Sequence, residues 1–160
     1  MAWLTDRDLA LFTDLYELKM LRVYHREGMN EQGVFDLYVR RLPESRNYLL
    51  ACGLDDALHY LETVRFDADD LAYLASTGQF DDAFLTWLSG FRFTGDVWAI
   101  PEGTPVFQDE PLLEVVAPVA EAQLAETFLM SQIHFQTAVA SKAARVVRAA
   151  AGVPVVDFGM

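Results

Sequence analysis

The amino-acid sequence predicts an α/β protein, in which a helical region with a small antiparallel sheet leads into a helix and strand of a second unit. Period-two alternation near residue 35 indicates a half-buried strand, and short runs of β-forming residues separated by turn sequences lie between residues 93 and 117. An alanine-rich segment then precedes a final run of apolar β-formers, VPVVDFGM. A helix followed by such a strand is typical of the start of a parallel sheet or barrel.

The first predicted elements are a helix and a strand. Thr13 or Asp14 can cap the helix, which continues to about Arg26 and is ended by Gly28. The strand lies in GVFDLYVRRLP and stops at Pro43. Its side chains alternate between two faces, with Phe35, Leu37 and Val39 on one and Asp36, Tyr38 and Arg40 on the other.

Three shorter helices and a sheet are predicted in the middle of the chain. The helices run from Gly53 to about Val64, from Asp67 through Leu74, and from Asp81 to near Gly90. The sheet is built from DVWAI, TPVF and LLEVV, which are separated by the turn sequences PEG and QDEP. We expect a small antiparallel sheet or half-barrel.

The alanine-rich segment from about Val119 to Ala151 is predicted to be helical and too long for one helix without a bend. Gly152 then ends it, and the β-formers that follow predict a strand buried on both faces. Such a strand needs neighbours that the sequence does not supply. The sequence is therefore expected to be a fragment, or to dock its last strand on something outside it.

Composition excludes several classes of protein. The formal charge of −12 arises from 24 acidic and 12 basic residues among 160, so there is no basic footprint for nucleic acid. The charged N-terminus is unlike a secretory signal, and no apolar run approaches the roughly 18 residues that cross a bilayer. One cysteine, Cys52, excludes an internal disulfide framework and a cysteine zinc site, and we expect it to be buried beside Gly53. A cytoplasmic protein is expected.

Six motifs resemble those of nicotinate phosphoribosyltransferases in order and spacing. The first is TDLYELKM, at Thr13 to Met20. The others are FDLYVRRLP, YLLACGLDDALHYL, FTGDVWAIPEGTPVFQDEPLLEV, AEAQLAETFLMSQIHFQTAVASKAARV and VVDFGM. Together they extend from about Leu11 to Met160, and the chain is similar to the N-terminal portion of such an enzyme.

The resemblance implies an activity and an architecture. The family joins nicotinate to 5-phosphoribosyl 1-diphosphate, forming nicotinate mononucleotide for NAD biosynthesis, with Mg²⁺ and with ATP hydrolysis coupled through a phosphorylated histidine. An N-terminal α/β domain precedes an irregular TIM-like barrel, and a homodimer shares the active site across its interface. Residues 1–120 would be the N-terminal domain, and residues 121–160 the helix and first strand of a truncated barrel, with Val153 to Phe158 as that strand.

Four residues are candidates for substrate binding. By resemblance, the ring of nicotinate lies between Tyr16 of one subunit and Phe158 of the other, Asp14 lies near the pyridine, and Arg40 reaches across the dimer to the substrate phosphate. Taken as residues alone, Tyr16 and Phe158 are ordinary core aromatics, Asp14 is a first-turn helix acid, and Arg40 is a solvated strand residue. Arg41 is interpreted as structural.

The sequence also indicates what this chain lacks. His25, His59 and His134 share no metal-binding spacing, so no metal site is predicted, and none matches the phosphorylated histidine of the family. Lys142 and Arg145 are expected to face solvent or the barrel. By resemblance, the catalytic, phosphate and Mg²⁺ sites lie past Met160, so these 160 residues alone are expected to be inactive.

Two alternatives remain open. A related nicotinamide or quinolinate phosphoribosyltransferase would share the layout, although QDEPLLEV and SKAARV favour the nicotinate branch. A non-catalytic, stand-alone module that binds a partner through its bare last strand is the other alternative.

Overall fold

The computed structural model describes residues 9–158, which form five helices and five strands in a mixed arrangement. In chain order the elements are α1 (Leu15–Glu27), β1 (Gln32–Tyr38), β2 (Leu49–Leu50), α2 (Leu54–Thr63), α3 (Ala68–Ser76), α4 (Asp82–Ser89), β3 (Asp96–Ala99), β4 (Pro105–Val106), β5 (Pro111–Pro118) and α5 (Val119–Ala149). No helix in this part of the chain is long and apolar enough to cross a bilayer.

The helix boundaries agree with the local signals. Gly28 ends α1 in the left-handed conformation at φ +66°, which glycine adopts without steric penalty. Asp67 begins α3 with a reciprocal capping box to Asp70, and the carboxylate of Asp81 accepts the Phe84 amide at the start of α4. Asp14 occupies the N-cap position of α1, but its side chain makes no capping bond to that helix.

A small antiparallel sheet is confirmed, and DVWAI (β3) and LLEVV (β5) pair within it in the strand order β1-β5-β3. TPVF was expected in the same sheet, but its strand β4 pairs with β2 in a second sheet. Exposed and half-buried residues alternate along β1, so Phe35 and Leu37 face the core as predicted. The strand ends at Tyr38, where the register with β5 shifts, and does not continue to Pro43 as expected. Val39 and Arg40 therefore lie in the segment that leaves the sheet.

Helix α5 is the central support of the fold. It is one continuous helix of 31 residues, and it packs against α1, α2, β1, β2 and β5. Its buried side chains include Leu124, Phe128 and Ile133, and they join a core shared with the earlier elements. Because α5 completes this core, the packing is continuous across residue 120. The predicted domain boundary at that residue stays a prediction.

The expected terminal strand is not formed. Residues 153–158 have no strand structure and are exposed, with 68% exposure at Val153 and 87% at Phe158. A strand needs a neighbour to pair its backbone groups, and no described strand pairs with this segment. Gly159 and Met160, the end of the predicted strand, lie outside the described residues.

Candidate functional site

The first turn of α1 presents two of the predicted site residues, Asp14 and Tyr16. Both are exposed, and 49% of the Tyr16 side chain is accessible. They lie on the same end of α1 because Asp14 is its N-cap and Tyr16 its second residue. The phenol oxygen of Tyr16 is 3.4 Å from Oε1 of Glu126 on α5, which is long for a hydrogen bond between oxygens.

Thr127, next to Glu126, contacts the same turn. Its hydroxyl lies 2.7 Å from Oε1 of Glu17 and 3.1 Å from Oδ2 of Asp14. Glu17 is fully buried, and its other oxygen accepts a hydrogen bond from the Thr13 hydroxyl at 2.9 Å. Two α5 residues, Glu126 and Thr127, thus hold the start of α1.

The carboxylates affect the ionisation of this site. Partial desolvation, followed by the negative charges of Glu126 and Glu17, raises the pKa of Tyr16 to about 12, so its hydroxyl remains protonated at neutral pH. Burial raises the pKa of Glu17, and the charge of Glu126 acts in the same direction. Hydrogen bonds from Thr127 and Thr13 oppose the shift because they stabilise the carboxylate.

Arg40 lines a cavity to which Glu126 also contributes. This cavity has a volume of about 270 Å³ and lies between β1, β5 and α5. An adjoining cavity of about 620 Å³ is lined by Arg40 together with Arg41, Arg46 and His134. Arg41, which was interpreted as structural from the sequence, therefore lines a cavity together with Arg40. The three arginines form a local positive region in an acidic protein, which suits an anionic group.

The structure brings together two of the four predicted residues, and it relates a third, Arg40, to them only through Glu126. Asp14 and Tyr16 share one helix turn, and Glu126 links Tyr16 to the cavity that Arg40 lines. Phe158 is not among them, because it lies in the exposed segment after α5 and makes no aromatic contact within residues 9–158. Its predicted pairing with Tyr16 is between subunits, and that pairing stays a prediction.

Sequence reasoning missed Glu126, Thr127 and Arg46. Glu126 and Thr127 are each 110 residues in sequence from the α1 residue that they contact, and only packing of α5 on α1 brings them close. The sequence held one signal for Glu126 and Thr127. They follow Ala125 and precede Phe128, which are both buried, so a carboxylate and a hydroxyl lie next to the apolar face of the helix.

Among the described residues, no group of three His, Cys, Asp or Glu side chains could hold a metal ion, so we derive no step through Mg²⁺ here.

Other candidate residues have structural roles. His25 stacks on Trp87, with ring centroids 5.2 Å apart. Arg145 was expected to face solvent or the barrel, but its guanidinium lies over the Tyr48 ring and donates to the Tyr48 carbonyl at 2.7 Å.

Cys52 was expected to be buried and is half-buried. Its Sγ lies 3.9 Å from the carboxylate of Glu102, which belongs to the turn between β3 and β4. Burial, and then the charge of Glu102, raises the pKa of the Cys52 thiol. A raised thiol pKa disfavours the reactive thiolate.

This arrangement is suited to binding. An aromatic face, a carboxylate beside it and a cluster of arginines match the needs of a flat heterocycle and a phosphate. In the site itself, Asp14, Tyr16 and Arg40 supply no activated nucleophile with an adjacent base.

Comparison with known proteins identifies the family. Residues 11–134 match the family model of the nicotinate phosphoribosyltransferase N-terminal domain. The chain is 57% identical over 150 residues to nicotinate phosphoribosyltransferase pncB2 of Mycobacterium tuberculosis, covering 94% of this chain and 32% of that protein. It is 39% identical over 142 residues to nicotinate phosphoribosyltransferase of Bacillus subtilis, covering 88% of this chain and 29% of that protein.

Solved structures agree. Human nicotinic acid phosphoribosyltransferase superposes with a TM-score of 0.80 at 33% identity, over 94% of this chain and 32% of that one. Nicotinate-nucleotide pyrophosphorylase from Pyrococcus furiosus shares the fold at a TM-score of 0.72 and 19% identity, over 100% of this chain and 34% of that one. The chain spans about a third of the length of the curated relatives named above. It belongs to the nicotinate phosphoribosyltransferase family, and it contains that family's N-terminal domain.

Proposed function

We propose that this chain is the N-terminal domain of an enzyme that joins nicotinate to 5-phosphoribosyl 1-diphosphate. The products are nicotinate mononucleotide and diphosphate, and the reaction belongs to NAD biosynthesis. The observation that carries the proposal is the 57% identity, over 94% of this chain, with nicotinate phosphoribosyltransferase of Mycobacterium tuberculosis. The half-exposed ring of Tyr16 is consistent with it, since the Tyr16 hydroxyl lies 3.4 Å from Glu126, which lines a cavity together with Arg40.

The proposed role of this domain is to bind and orient substrate. The Tyr16 ring stacks on the pyridine, while Asp14, on the same turn, lies near the ring. Phe158 of the partner subunit covers the opposite face of the pyridine, and such ring pairs contribute about 0.5–1.5 kcal/mol each beyond burial. Arg40 reaches the substrate phosphate across the dimer, as a guanidinium that can donate two parallel hydrogen bonds.

The wider properties of the enzyme are part of the same proposal. We propose a cytoplasmic homodimer with an active site shared between subunits, dependent on Mg²⁺ and coupled to ATP hydrolysis. Mg²⁺ would neutralise charge on the diphosphate leaving group. The residues of this chain would align nicotinate with the ribose carbon, which lowers the entropic barrier to their reaction.

The test is a substrate comparison with the purified full-length gene product. Nicotinate, nicotinamide and quinolinate are each supplied with 5-phosphoribosyl 1-diphosphate, Mg²⁺ and ATP, and products are identified by mass spectrometry. We expect nicotinate mononucleotide from nicotinate and little product from the other two. Preference for nicotinamide or quinolinate would assign the protein to a related transferase, and no turnover of any substrate would favour the non-catalytic module.

A further inference from the structure

The hydroxyl of Thr127 occupies the junction between α5 and the first turn of α1. Its oxygen is 2.7 Å from Glu17 Oε1 and 3.1 Å from Asp14 Oδ2, and the Asp14 amide lies 3.4 Å from the same oxygen. One side chain of α5 thus contacts both the backbone and the side chain of the residue that begins α1. Hydrogen bonds to charged acceptors are stronger than those between neutral groups.

A threonine hydroxyl has one proton, so it cannot donate fully to both carboxylates at once. Glu17 is the closer acceptor and is fully buried, whereas Asp14 is exposed to water. Within the described part of the chain, no salt bridge compensates Glu17, and hydrogen bonds from Thr127 and Thr13 stabilise its charge. Glu17 therefore takes the hydroxyl proton of Thr127, and Asp14 is held through its backbone amide, which donates to the hydroxyl oxygen at 3.4 Å.

Thr127 is itself held in place by packing. Its neighbour Phe128 stacks on Tyr60, with centroids 4.1 Å apart, and meets Phe12 edge-on at 5.6 Å. Phe12 lies just before α1, so these three rings fix α5, α2 and the entry to α1 together. A residue on such a rigid surface can set the position of a turn that is otherwise exposed.

We infer that Thr127 is a positioning residue for the pyridine site, because its hydroxyl fixes the turn that carries Asp14 and Tyr16. The inference rests on the proposed function, in which those two residues meet nicotinate. Thr127 acts through the turn, and the inference assigns it no contact with substrate. Loss of its hydroxyl would loosen the binding surface for nicotinate, while the arginine-lined region, whose lining does not include Thr127, keeps its shape.

The test compares Thr127→Val, which keeps the shape and removes the hydroxyl, with Thr127→Ser, which keeps the hydroxyl. Thr86→Val is the matched control, since the Thr86 hydroxyl only donates to the Asp82 carbonyl of its own helix at an exposed position. In the full-length gene product, we expect Thr127→Val to raise the KM for nicotinate about tenfold, the effect of losing one charge-assisted hydrogen bond. The KM for 5-phosphoribosyl 1-diphosphate and kcat should stay within about twofold, because the lost contact concerns only the nicotinate surface.

Thr127→Ser should recover the wild-type KM for nicotinate, and Thr86→Val should retain it. The inference would be overturned if Thr127→Val left the KM for nicotinate unchanged, or if it impaired every kinetic parameter equally. It would also be overturned if Thr127→Ser did not recover the wild-type KM for nicotinate. Amide hydrogen exchange provides a readout independent of activity. Thr127→Val should accelerate exchange in residues 17–19 about fivefold or more relative to wild type, with Thr127→Ser unchanged.

The two readouts separate the two proposals. If wild-type protein does not use nicotinate, the proposed function fails. The inference that Thr127 positions a pyridine site then fails as well. The exchange data then still decide whether Thr127 orders the turn. If wild type uses nicotinate and exchange in the turn is the same in Thr127→Val, only the positioning inference fails.

Discussion

The phenol oxygen of Tyr16 on α1 lies 3.4 Å from a carboxylate oxygen of Glu126 on α5, across the junction of two helices. At this distance a hydrogen bond is weak, but the negative charge of Glu126 still acts on the phenol. Glu126 also lines the cavity that contains Arg40. This single carboxylate therefore connects the candidate pyridine-binding residue to the candidate phosphate-binding residue.

Replacement of Glu126 by Gln should lower the pKa of Tyr16. Partial desolvation and then Glu126 raise that pKa to about 12 in the wild type, so removing the charge shifts it back toward the ordinary value of 10.0. The measurement is an NMR titration of ring-labelled tyrosine. Glu121→Gln is the control, because Glu121 lies on the same helix but bonds Thr94. An unchanged Tyr16 pKa in Glu126→Gln would show that this carboxylate does not act on the phenol.

The buried Glu17 should make stability fall as pH rises. Burial raises its pKa above the ordinary 4.5, so the folded protein binds more protons than the unfolded chain between the two values. Stability then declines from about the ordinary pKa up to the raised one and stays lower above it. Glu17→Gln, which keeps a hydrogen-bonding amide, should remove this decline and raise the Tm at pH 7 relative to wild type. Thermal unfolding across pH checks it, and a wild-type decline retained in Glu17→Gln would contradict the assignment.

Gly53→Ala should destabilise the fold strongly. Gly53 begins α2 at φ +102°, and a Cβ there would lie 2.9 Å from the Gln132 carbonyl oxygen of α5. Gly78 has a similar positive φ of +66° but open space around it, so Gly78→Ala isolates the backbone penalty. We expect a loss of about 1 kcal/mol for Gly78→Ala and more than about 2 kcal/mol for Gly53→Ala. Equal losses in denaturant unfolding would show that α2 and α5 do not approach this closely.

Activity should be restored in a mixed dimer if the site is shared between subunits. Tyr16→Ala and Phe158→Ala homodimers should each be impaired, since each site lacks one ring. In a heterodimer of the two, one site has both defects and the other has both native rings. Random reassembly at equal amounts should then restore about a quarter of wild-type activity. If heterodimers are shown to form but activity is not restored, the shared site is contradicted. Tyr16 and Phe158 would then act in a site within one subunit, or would not belong to the active site.

The helix boundaries could be predicted from the sequence because their signals are local. Asp67 and Asp81 cap helices that start at the next residue, and Gly28 ends α1 directly. The start of α2 is different: the amides of Gly53 and Leu54 are each 2.7 Å from Oε1 of Glu102, about fifty residues away in sequence. No local pattern indicates such a cap, because only the folded chain brings Glu102 there.

The same distinction explains why no strand forms at the end of the described chain and why residues were missed at the site. The β-formers after Gly152 have strand propensity, but a strand also requires a paired neighbour, and the described elements provide none. Tyr16 and Asp14 were identified by resemblance to a motif confined to one helix. Thr127 lies 110 residues beyond Glu17 and acquires its role only when α5 packs on α1.

The most direct test of the central claim is the kcat/KM for nicotinate in the full-length gene product, measured for wild type, Tyr16→Phe and Tyr16→Ala. Wild type should form nicotinate mononucleotide, and Tyr16→Phe should keep most of the activity because it retains the ring. Tyr16→Ala should lose about tenfold or more, as expected for removal of a stacking face. Folded wild-type protein that forms no nicotinate mononucleotide, or a Tyr16→Ala variant with wild-type kcat/KM, would contradict the assignment.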